Sequence, residues 1–440
     1  MSAAEVEQAT SAPSPRPSTF QRFGLALLPI VVVGVVIRVL YTLLEAPWPP
    51  TVLDDEVFFS IMPQALVDGH GYVNPFLLTF RGVSTPTAGH PPLYSFVLAG
   101  LAELGGKSAD AQRLTGTVFG AGTIALVGLI GRRLSGPRAG LIAAGLAAIY
   151  PMLIAADGAL MSESLFGLLV AISLWAAYRL LEMPTIGRAL VLGAAAGLAA
   201  LARTEALLLL VLVLVPVVRR PGGWRASLVA VLAGIVVITP WTVRNWIVFD
   251  RPVVVSTNSD SAIAGANCYG TYHGHDLGFW QLQCIRPHKG NEVASIAAAR
   301  SDGVNYARDH AGRLPVVLAA RLARTWSLFR PFQTPEGRSR RAQKLGVVAF
   351  FLLVPFALLG AVSLRRRRAA LWIILAPVAV VSVIALVSYG NVRFRESAEL
   401  SLVVLAAVGL DLLWRRWRGI TAAATPPDPG RARPVAAPRR

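Results

Sequence analysis

Long hydrophobic runs separated by short basic segments make up most of this 440-residue chain. The length of each run is close to the about 20 residues that a helix needs to cross a bilayer. The pattern therefore predicts membrane-spanning helices. Ten are predicted, at residues 23–43, 111–131, 139–157, 162–180, 187–202, 205–218, 226–243, 345–363, 370–388 and 398–414. We therefore expect an all-α polytopic membrane protein.

The basic segments between the runs predict the orientation in the membrane. They lie at residues 132–138, 179–188, 219–225, 365–368 and 415–418. Because Lys and Arg in short connections stay on the cytoplasmic side, these segments and the N-terminus are assigned to the cytoplasm. The opposite face then receives residues 44–110, 157–163, 203–205, 244–344 and 389–397.

Two further apolar segments do not fit a simple crossing. Residues 92–104 are too short, which favours a re-entrant or interfacial helix, and a crossing there would exchange the two sides. Residues 314–332 carry Arg321 and Arg324 on one helical face. That spacing favours an interfacial amphipathic helix with Trp326 at the level of the headgroups.

Composition agrees with a membrane protein, since 54% of the residues are hydrophobic and only 15% are charged. The net charge of +18 does not indicate nucleic-acid binding, because the arginines lie in short connections and in the tail. The first 20 residues are polar, so no cleavable signal peptide is predicted. The predicted organisation is a disordered cytoplasmic N-terminus (1–22), a transmembrane module (23–243) with a catalytic first external loop (44–110), a second external loop (244–344), C-terminal transmembrane helices (345–414) and a basic, disordered cytoplasmic tail (415–440).

The two cysteines, Cys268 and Cys284, lie in the same predicted external loop. In an oxidising compartment they are expected to form a disulfide, which would stabilise the fold by about 3 kcal/mol through loop entropy. Two unpaired thiols are the alternative. His273 and His275 lie between them, but two histidines without a thiolate pair are a weak metal signal, so no metal site is predicted.

Three consecutive carboxylates, Asp54, Asp55 and Glu56, follow the first hydrophobic run. Acidic groups near a bilayer are costly and usually serve chemistry, an ion or a substrate path. His90 follows about 35 residues later, before the rigid bend formed by Pro91 and Pro92. These two elements predict an extracytoplasmic active site.

Other charged residues gather on the same predicted face from separate turns. They are Asp157, Glu163, Arg203, Glu205, Arg244, Arg393 and Arg395. Each one alone has a structural explanation. Arginine side chains near a membrane extend towards the lipid headgroups, and Arg203 with Glu205 could be a simple ion pair. As a set they supply a carboxylate base and arginines that fit a phosphate leaving group. Transfer of a sugar from a polyprenyl phosphate needs both, and arginine can balance a monophosphate without an obligatory metal.

Four motifs resemble the protein O-mannosyltransferases and their bacterial relatives, including the aminoarabinose transferases. Asp55–Phe59 (DEVFF) is similar to the Asp-Glu motif of their first external loop, and His90–Leu93 (HPPL) to the element that follows it. Leu201–Glu205 (LARTE) resembles a Leu-x-Arg-Pro-Glu hairpin, with Thr204 in place of proline. Pro240–Asn245 (PWTVRN) resembles a further bacterial element, and the similarity covers roughly residues 20–260.

The resemblance implies a GT-C membrane glycosyltransferase that uses a polyprenyl-phosphate sugar. Asp55 would be the general base, with Asp54 and Glu56 as its acidic neighbours. Glu163 would face the donor phosphate or a metal, and His90 would shape the pocket or touch the sugar. Arg203, Arg244 and Arg393 would bind the donor phosphate, and the remaining substrate-binding candidates are Glu205 and Arg395. No cofactor is required by this chemistry, although a divalent metal stays an alternative.

The sugar and the acceptor are left open by the sequence. The expected acceptor is an envelope glycan, lipid or protein, and the expected location is the plasma (inner) membrane with the active site on the extracytoplasmic face. Two other functions are alternatives. A lipid-linked sugar transporter or flippase would need broken helices or inverted repeats, neither of which is evident in the sequence. A non-catalytic envelope assembly factor would tolerate loss of Asp55.

Overall fold

The computed structural model describes residues 19–46, 55–332 and 338–419. Asp54, most of the N-terminal segment 1–22 and the tail beyond residue 419 lie outside the described residues. Within them the chain is helical, and no β-strand occurs in those three ranges beyond an isolated bridge between Val73 and Pro86. The all-α fold expected from the sequence is confirmed.

The described residues form eighteen α-helices, numbered in chain order. They are α1 (Thr19–Leu44), α2 (Asp55–Val67), α3 (Pro75–Arg81), α4 (Leu93–Glu103), α5 (Ala109–Ser135), α6 (Pro137–Ile149), α7 (Pro151–Gly158), α8 (Glu163–Glu182), α9 (Ile186–Ala202), α10 (Ala206–Val218), α11 (Gly223–Phe249), α12 (Asn258–Ala266), α13 (Tyr269–Tyr272), α14 (Glu292–Asp309), α15 (Leu314–Thr325), α16 (Arg340–Leu364), α17 (Arg368–Val387) and α18 (Glu396–Trp417).

A helix lies at each of the ten predicted spans, but their number as crossings is not confirmed. Among the described residues, seven helices are long and apolar enough to cross a membrane. The bent pair α6 and α7 adds an eighth if it forms one span. Helices α9 and α10, at 17 and 13 residues, are shorter.

The bent pair differs from the sequence expectation of unbroken helices. Helices α6 and α7 meet at an angle of 54°. Tyr150 between them has an extended backbone (φ −72°, ψ 118°) and precedes Pro151. Proline disfavours a helical conformation in the residue before it and cannot donate a backbone hydrogen bond, which explains the break. Asp157 near the end of α7 is buried and paired with Arg38 of α1 at 2.6 Å.

Glycines bring the membrane helices α16 and α18 into close contact. A Cβ atom on Gly360 would lie 2.0 Å from the Leu405 carbonyl oxygen, and one on Gly409 would lie 2.1 Å from that of Phe356. Small residues allow such close backbone approach where no hydrophobic force drives helices together in lipid. This contact fixes α18, whose N-terminal end carries part of the site.

Helix α15 lies in the segment 314–332, where a helix is expected. Its two arginines, however, do not have the predicted role at the membrane surface. Arg321 and Arg324 are 2% and 1% exposed, so they do not face a membrane surface. Arg321 donates to the carbonyl oxygens of Leu386 and Ala266, and Arg324 to that of Leu277. Their positive charge is therefore used to hold the loop after α12 against the end of α17.

Candidate active site

Charged side chains from four parts of the chain form one connected cluster. Arg393 donates from Nη2 to Asp55 Oδ2 at 2.5 Å and from Nε to Glu163 Oε1. Arg203 donates from Nη1 to the same oxygen of Glu163 at 3.0 Å and from Nε to Glu205 Oε1 at 2.6 Å. The four charged groups predicted from separate external turns are thus brought together with Asp55.

Helix ends position these side chains. Asp55 and Glu163 are the first residues of α2 and α8, where the partial positive charge of a helix N-terminus stabilises a carboxylate. Arg203 and Glu205 lie in the connection between α9 and α10. Arg393 lies in a 3₁₀ turn that leads into α18. Each functional group therefore lies where a rigid helix begins or ends.

His90 lies beside the base candidate. Its Nε2 atom is 3.5 Å from Asp55 Oδ1, and its ring packs on Phe58 with centroids 4.2 Å apart. Burial lowers the pKa of His90 below its usual 6.5, and the nearby Asp55 carboxylate offsets this only in part. The imidazole is therefore neutral at pH 7 and can accept or donate a hydrogen bond at the site.

The charge on Asp55 is set by its arginine partner. Burial raises the pKa of this carboxyl, but the charge and the hydrogen bond of the Arg393 guanidinium outweigh it and hold the pKa at about 2. Burial lowers the pKa of Arg203, yet Glu205 and Glu163 raise it above its ordinary value. At neutral pH the cluster thus contains an ionised Asp55 beside permanently charged arginines.

A cavity of about 420 Å³ opens beside this cluster. One wall is charged and includes Asp55, Arg203 and Arg393. The other walls are formed by apolar residues of α10 and α17, by aromatic rings and by small polar residues of α12; these are Leu207, Leu208, Ile384, Val387, Trp280, Tyr389, Phe394, Asn258, Ser259 and Ser261. A narrow extension of about 40 Å³ reaches His90 and Pro91. The space therefore suits an amphiphile with a polar head.

Three predicted site residues lie elsewhere. Glu56 is buried and accepts a hydrogen bond from the Leu160 amide at 3.0 Å. Arg395 is fully buried and pairs with Glu399. The sequence could not separate these residues from Asp55 and Arg393, because a shift of one or two positions along a helix or a tight turn decides which side chain faces the cavity.

Arg244 is the third of these residues and lies outside the ion-pair cluster. Its two Nη atoms donate to the carbonyl oxygens of Thr87 and Tyr72, each at 2.8 Å, and its guanidinium packs on Trp241. It borders a separate apolar cavity of about 360 Å³ beside Pro92 and α11. Arg244 therefore ties the segments on either side of α3 to the end of α11.

Sequence reasoning missed the polar and aromatic residues that line the same cavity as the charged cluster. Asn258 and Ser259 lie in the first turn of α12, and Trp280 lies in the loop that follows. These are ordinary loop residues in the sequence, with no spacing that indicates a shared site. Only the folding of the loop against α17 brings them to the cavity.

A divalent metal does not fit between the two central carboxylates as they are arranged. The Arg393 guanidinium already bridges Asp55 and Glu163. Within the described ranges no group of three or more His, Cys, Asp and Glu side chains could hold an ion. His275, one of the loop histidines, is instead hydrogen-bonded to Asp276 at 3.0 Å.

The predicted disulfide is confirmed. Cys268 and Cys284 are bonded, with their Cα atoms 5.9 Å apart. The bond closes the part of the segment between α12 and α14 that contains Trp280. It therefore connects the two sides of a segment that forms one wall of the cavity.

Comparison with known families and structures agrees with this architecture. Residues 89–246 match the family described as dolichyl-phosphate-mannose-protein mannosyltransferase, a range that includes His90, Glu163, Arg203 and Arg244. The resemblance inferred from the HPPL, LARTE and PWTVRN motifs is thereby confirmed, whereas the motif at Asp55–Phe59 lies before the matched range. No curated protein matches the chain in sequence.

Solved structures extend the likeness over most of the chain. The oligosaccharyltransferase AglB from Archaeoglobus fulgidus, in complex with an inhibitory peptide and a dolichol-phosphate, has a TM-score of 0.56 at 13% identity over 93% of this chain and 53% of its own. The same archaeal enzyme tethered with an acceptor peptide gives 0.54 at 14% identity, over 90% and 51%. This chain has the GT-C fold. It spans about half the length of these archaeal chains.

A bacterial structure is also similar, although less closely in shape. ArnT from Cupriavidus metallidurans bound to undecaprenyl phosphate is 17% identical, with a TM-score of 0.43 over 90% of the GT-C chain described here and 80% of its own.

Proposed function

We propose that this GT-C protein transfers a sugar from a polyprenyl phosphate to a hydroxyl group of an envelope glycan, lipid or protein on the extracytoplasmic face. One observation carries the proposal: a single cavity has a carboxylate and two arginines on one wall and apolar helices on another. The charged wall suits a sugar phosphate, and Leu207, Leu208, Ile384 and Val387 suit the first isoprene units of the lipid.

The reaction uses Asp55 as the base. The carboxylate removes the proton of the acceptor hydroxyl while the hydroxyl oxygen attacks the anomeric carbon of the sugar. The bond between that carbon and the phosphate oxygen breaks, and the electron pair leaves with the phosphate. Arg203 and Arg393 stabilise the charge on the leaving group through their fixed N–H forks. A single displacement of this kind inverts the anomeric centre.

Donor binding also activates the base. With a pKa of about 2, Asp55 is a weak proton acceptor while it is paired with Arg393. The cluster has three carboxylates for two arginines, so a phosphate competes with these carboxylates for the positive charge of the guanidinium groups. Sharing Arg393 raises the pKa of Asp55 and makes it a better base in the presence of donor.

The fold is consistent with a lipid phosphate donor. The archaeal AglB was solved in complex with a dolichol-phosphate, which is a ligand of that protein, and the shared fold is what supports a related donor for this chain. Arg244 and its apolar cavity offer a second groove at the membrane surface, where the lipid tail would lie if the donor entered beside α11.

A transfer assay tests the proposal. Full-length protein in proteoliposomes is incubated with polyprenyl-phosphate sugars labelled in the sugar, together with envelope acceptors. If the protein transfers the sugar, the label should appear in the acceptor, and an equal molar amount of unlabelled polyprenyl phosphate should be released. Labelled lipid that only changes leaflet would indicate a transporter, for which the bent pair α6 and α7 is the relevant feature. Binding without either outcome would indicate an assembly factor.

A further inference from the structure

Part of the lining of the cavity, beside the charged cluster, has the composition of a sugar-binding surface. Trp280 and Tyr389 are partly exposed there, with ring centroids 6.3 Å apart and an angle of 36° between their planes. Aromatic rings combined with a few polar groups are typical of sites that bind small polar ligands. The apolar face of a sugar ring matches such a surface.

Two small polar side chains border the same space. Asn258 and Ser259 are exposed in the first turn of α12, and neither side chain forms a hydrogen bond within the described part of the chain. Both line the large cavity and its narrow extension towards His90. An amide and a hydroxyl at this position can bind sugar hydroxyl groups beside the reacting carbon.

The loop holds Trp280 in a fixed position. Its Nε1 atom donates to the Ser261 carbonyl oxygen at 3.3 Å, and the next residue, Gln281, donates its amide to the Gly265 carbonyl oxygen at 3.0 Å. A Cβ atom on Gly265 would lie 2.1 Å from Nε1, so only glycine leaves room for the indole. The Cys268–Cys284 disulfide closes the same segment.

We propose that Trp280 is the platform on which the donor sugar ring lies, and that Asn258 and Ser259 bind its hydroxyl groups. These residues then determine which sugar is accepted. The inference rests on the proposed function for the identity of the ligand, a furanose or pyranose ring attached to a polyprenyl phosphate. Because the loop is held in advance, binding does not have to order it.

The ratio of the affinities for the lipid with and without its sugar tests the role of Trp280 independently of turnover. The purified full-length protein is titrated with polyprenyl phosphate and with polyprenyl-phosphate mannose, arabinose and glucose. For the wild type the best sugar lipid should bind more tightly than the lipid without sugar. Trp280→Ala should reduce that preference by about tenfold and leave the affinity for polyprenyl phosphate unchanged. Trp280→Phe, which keeps an aromatic surface, should retain most of the preference for the lipid that carries a sugar.

A second variant tests the position of the ring without altering it. Gly265→Ala should reduce the sugar preference as Trp280→Ala does, because the new methyl group displaces the indole. Gly312→Ala is the matched control, since no atom lies within 4 Å of its added Cβ. Asn258→Ala and Ser259→Ala should change the order of preference among the three sugars.

Several outcomes would overturn the inference. They are equal binding of the lipid with and without sugar by the wild type, an unchanged ratio in Trp280→Ala, or an equal loss of both affinities in that variant. Absence of transfer together with a retained ratio would instead refute the proposed reaction and leave the sugar platform standing. The two claims can therefore fail separately.

Discussion

Arg393 Nη2 lies 2.5 Å from Asp55 Oδ2, although the two residues are 338 positions apart in the chain. The same guanidinium contacts Glu163 through Nε. One arginine thus connects the start of α2, the start of α8 and the turn before α18. This contact determines both the charge of the base candidate and the assembly of the site.

The pH dependence of stability should report this contact. Because Arg393 outweighs the effect of burial and lowers the pKa of Asp55 from 3.8 to about 2, the folded state is favoured above pH 3.8. That contribution is lost as the pH falls through about 2. In Arg393→Lys the weaker pairing should raise the pKa and shift the loss to higher pH.

Thermal unfolding of wild type and Arg393→Lys, measured from pH 2 to 7, tests this. The acid limb of the pH profile of kcat/KM should also move to higher pH in Arg393→Lys, since this limb reports the pKa of the base in the free enzyme. Coincident profiles for the two proteins would show that Arg393 does not control Asp55.

The three arginines expected at the donor phosphate should separate into two classes. Arg203→Lys and Arg393→Lys should weaken donor binding and slow departure of the phosphate, because lysine lacks the two-pronged fork. Arg244→Ala should mainly lower stability, by about 1.5–3 kcal/mol, since its Nη atoms hold two carbonyl oxygens.

Donor titrations and thermal unfolding of the three variants distinguish these effects. A selective donor defect in Arg244→Ala with normal stability would assign this residue to the phosphate after all. It would also favour entry of the lipid through the groove beside α11.

The disulfide should be formed in protein purified without reductant and should stabilise the fold. Replacing Cys268 and Cys284 together with serine should lower the unfolding free energy by about 3 kcal/mol. Intact-mass measurement after thiol labelling checks the first point, and thermal unfolding checks the second. Two labelled thiols in the native protein would contradict the bond and the extracytoplasmic assignment of the loop.

Removal of divalent metals should leave sugar transfer unchanged. The guanidinium of Arg393 already bridges the carboxylates of Asp55 and Glu163, so no ion is needed to hold them together. Activity after treatment with EDTA is the measurement. A loss that Mg²⁺ or Mn²⁺ restores would show that an ion displaces Arg393 during the reaction.

Much of this architecture could be predicted from the sequence. The long apolar runs specify helices because lipid forces the backbone to satisfy its own hydrogen bonds. Charged residues at their ends indicate a site because they are costly near lipid. For that reason Asp55, His90, Glu163, Arg203 and Arg393 can be identified as candidates from the sequence alone.

What could not be predicted is which charged groups face each other. Arg393 and Arg395 are two positions apart, yet one lines the cavity and the other is buried against Glu399. Arg321 resembles a membrane anchor in sequence but binds carbonyl oxygens inside the protein. These choices depend on the packing of distant helices and loops, which local spacing does not encode. The same is true of Trp280.

The most direct test of the central claim is transfer by Asp55→Asn. The amide keeps the shape of the side chain and removes the base, so the rate of transfer from the preferred polyprenyl-phosphate sugar should fall by about 10²–10⁴-fold. Expression, membrane insertion and binding of polyprenyl phosphate should be retained. Asp68→Asn, at an exposed position after α2, is the matched control and should transfer at the wild-type rate. Near-normal turnover by Asp55→Asn would contradict the account.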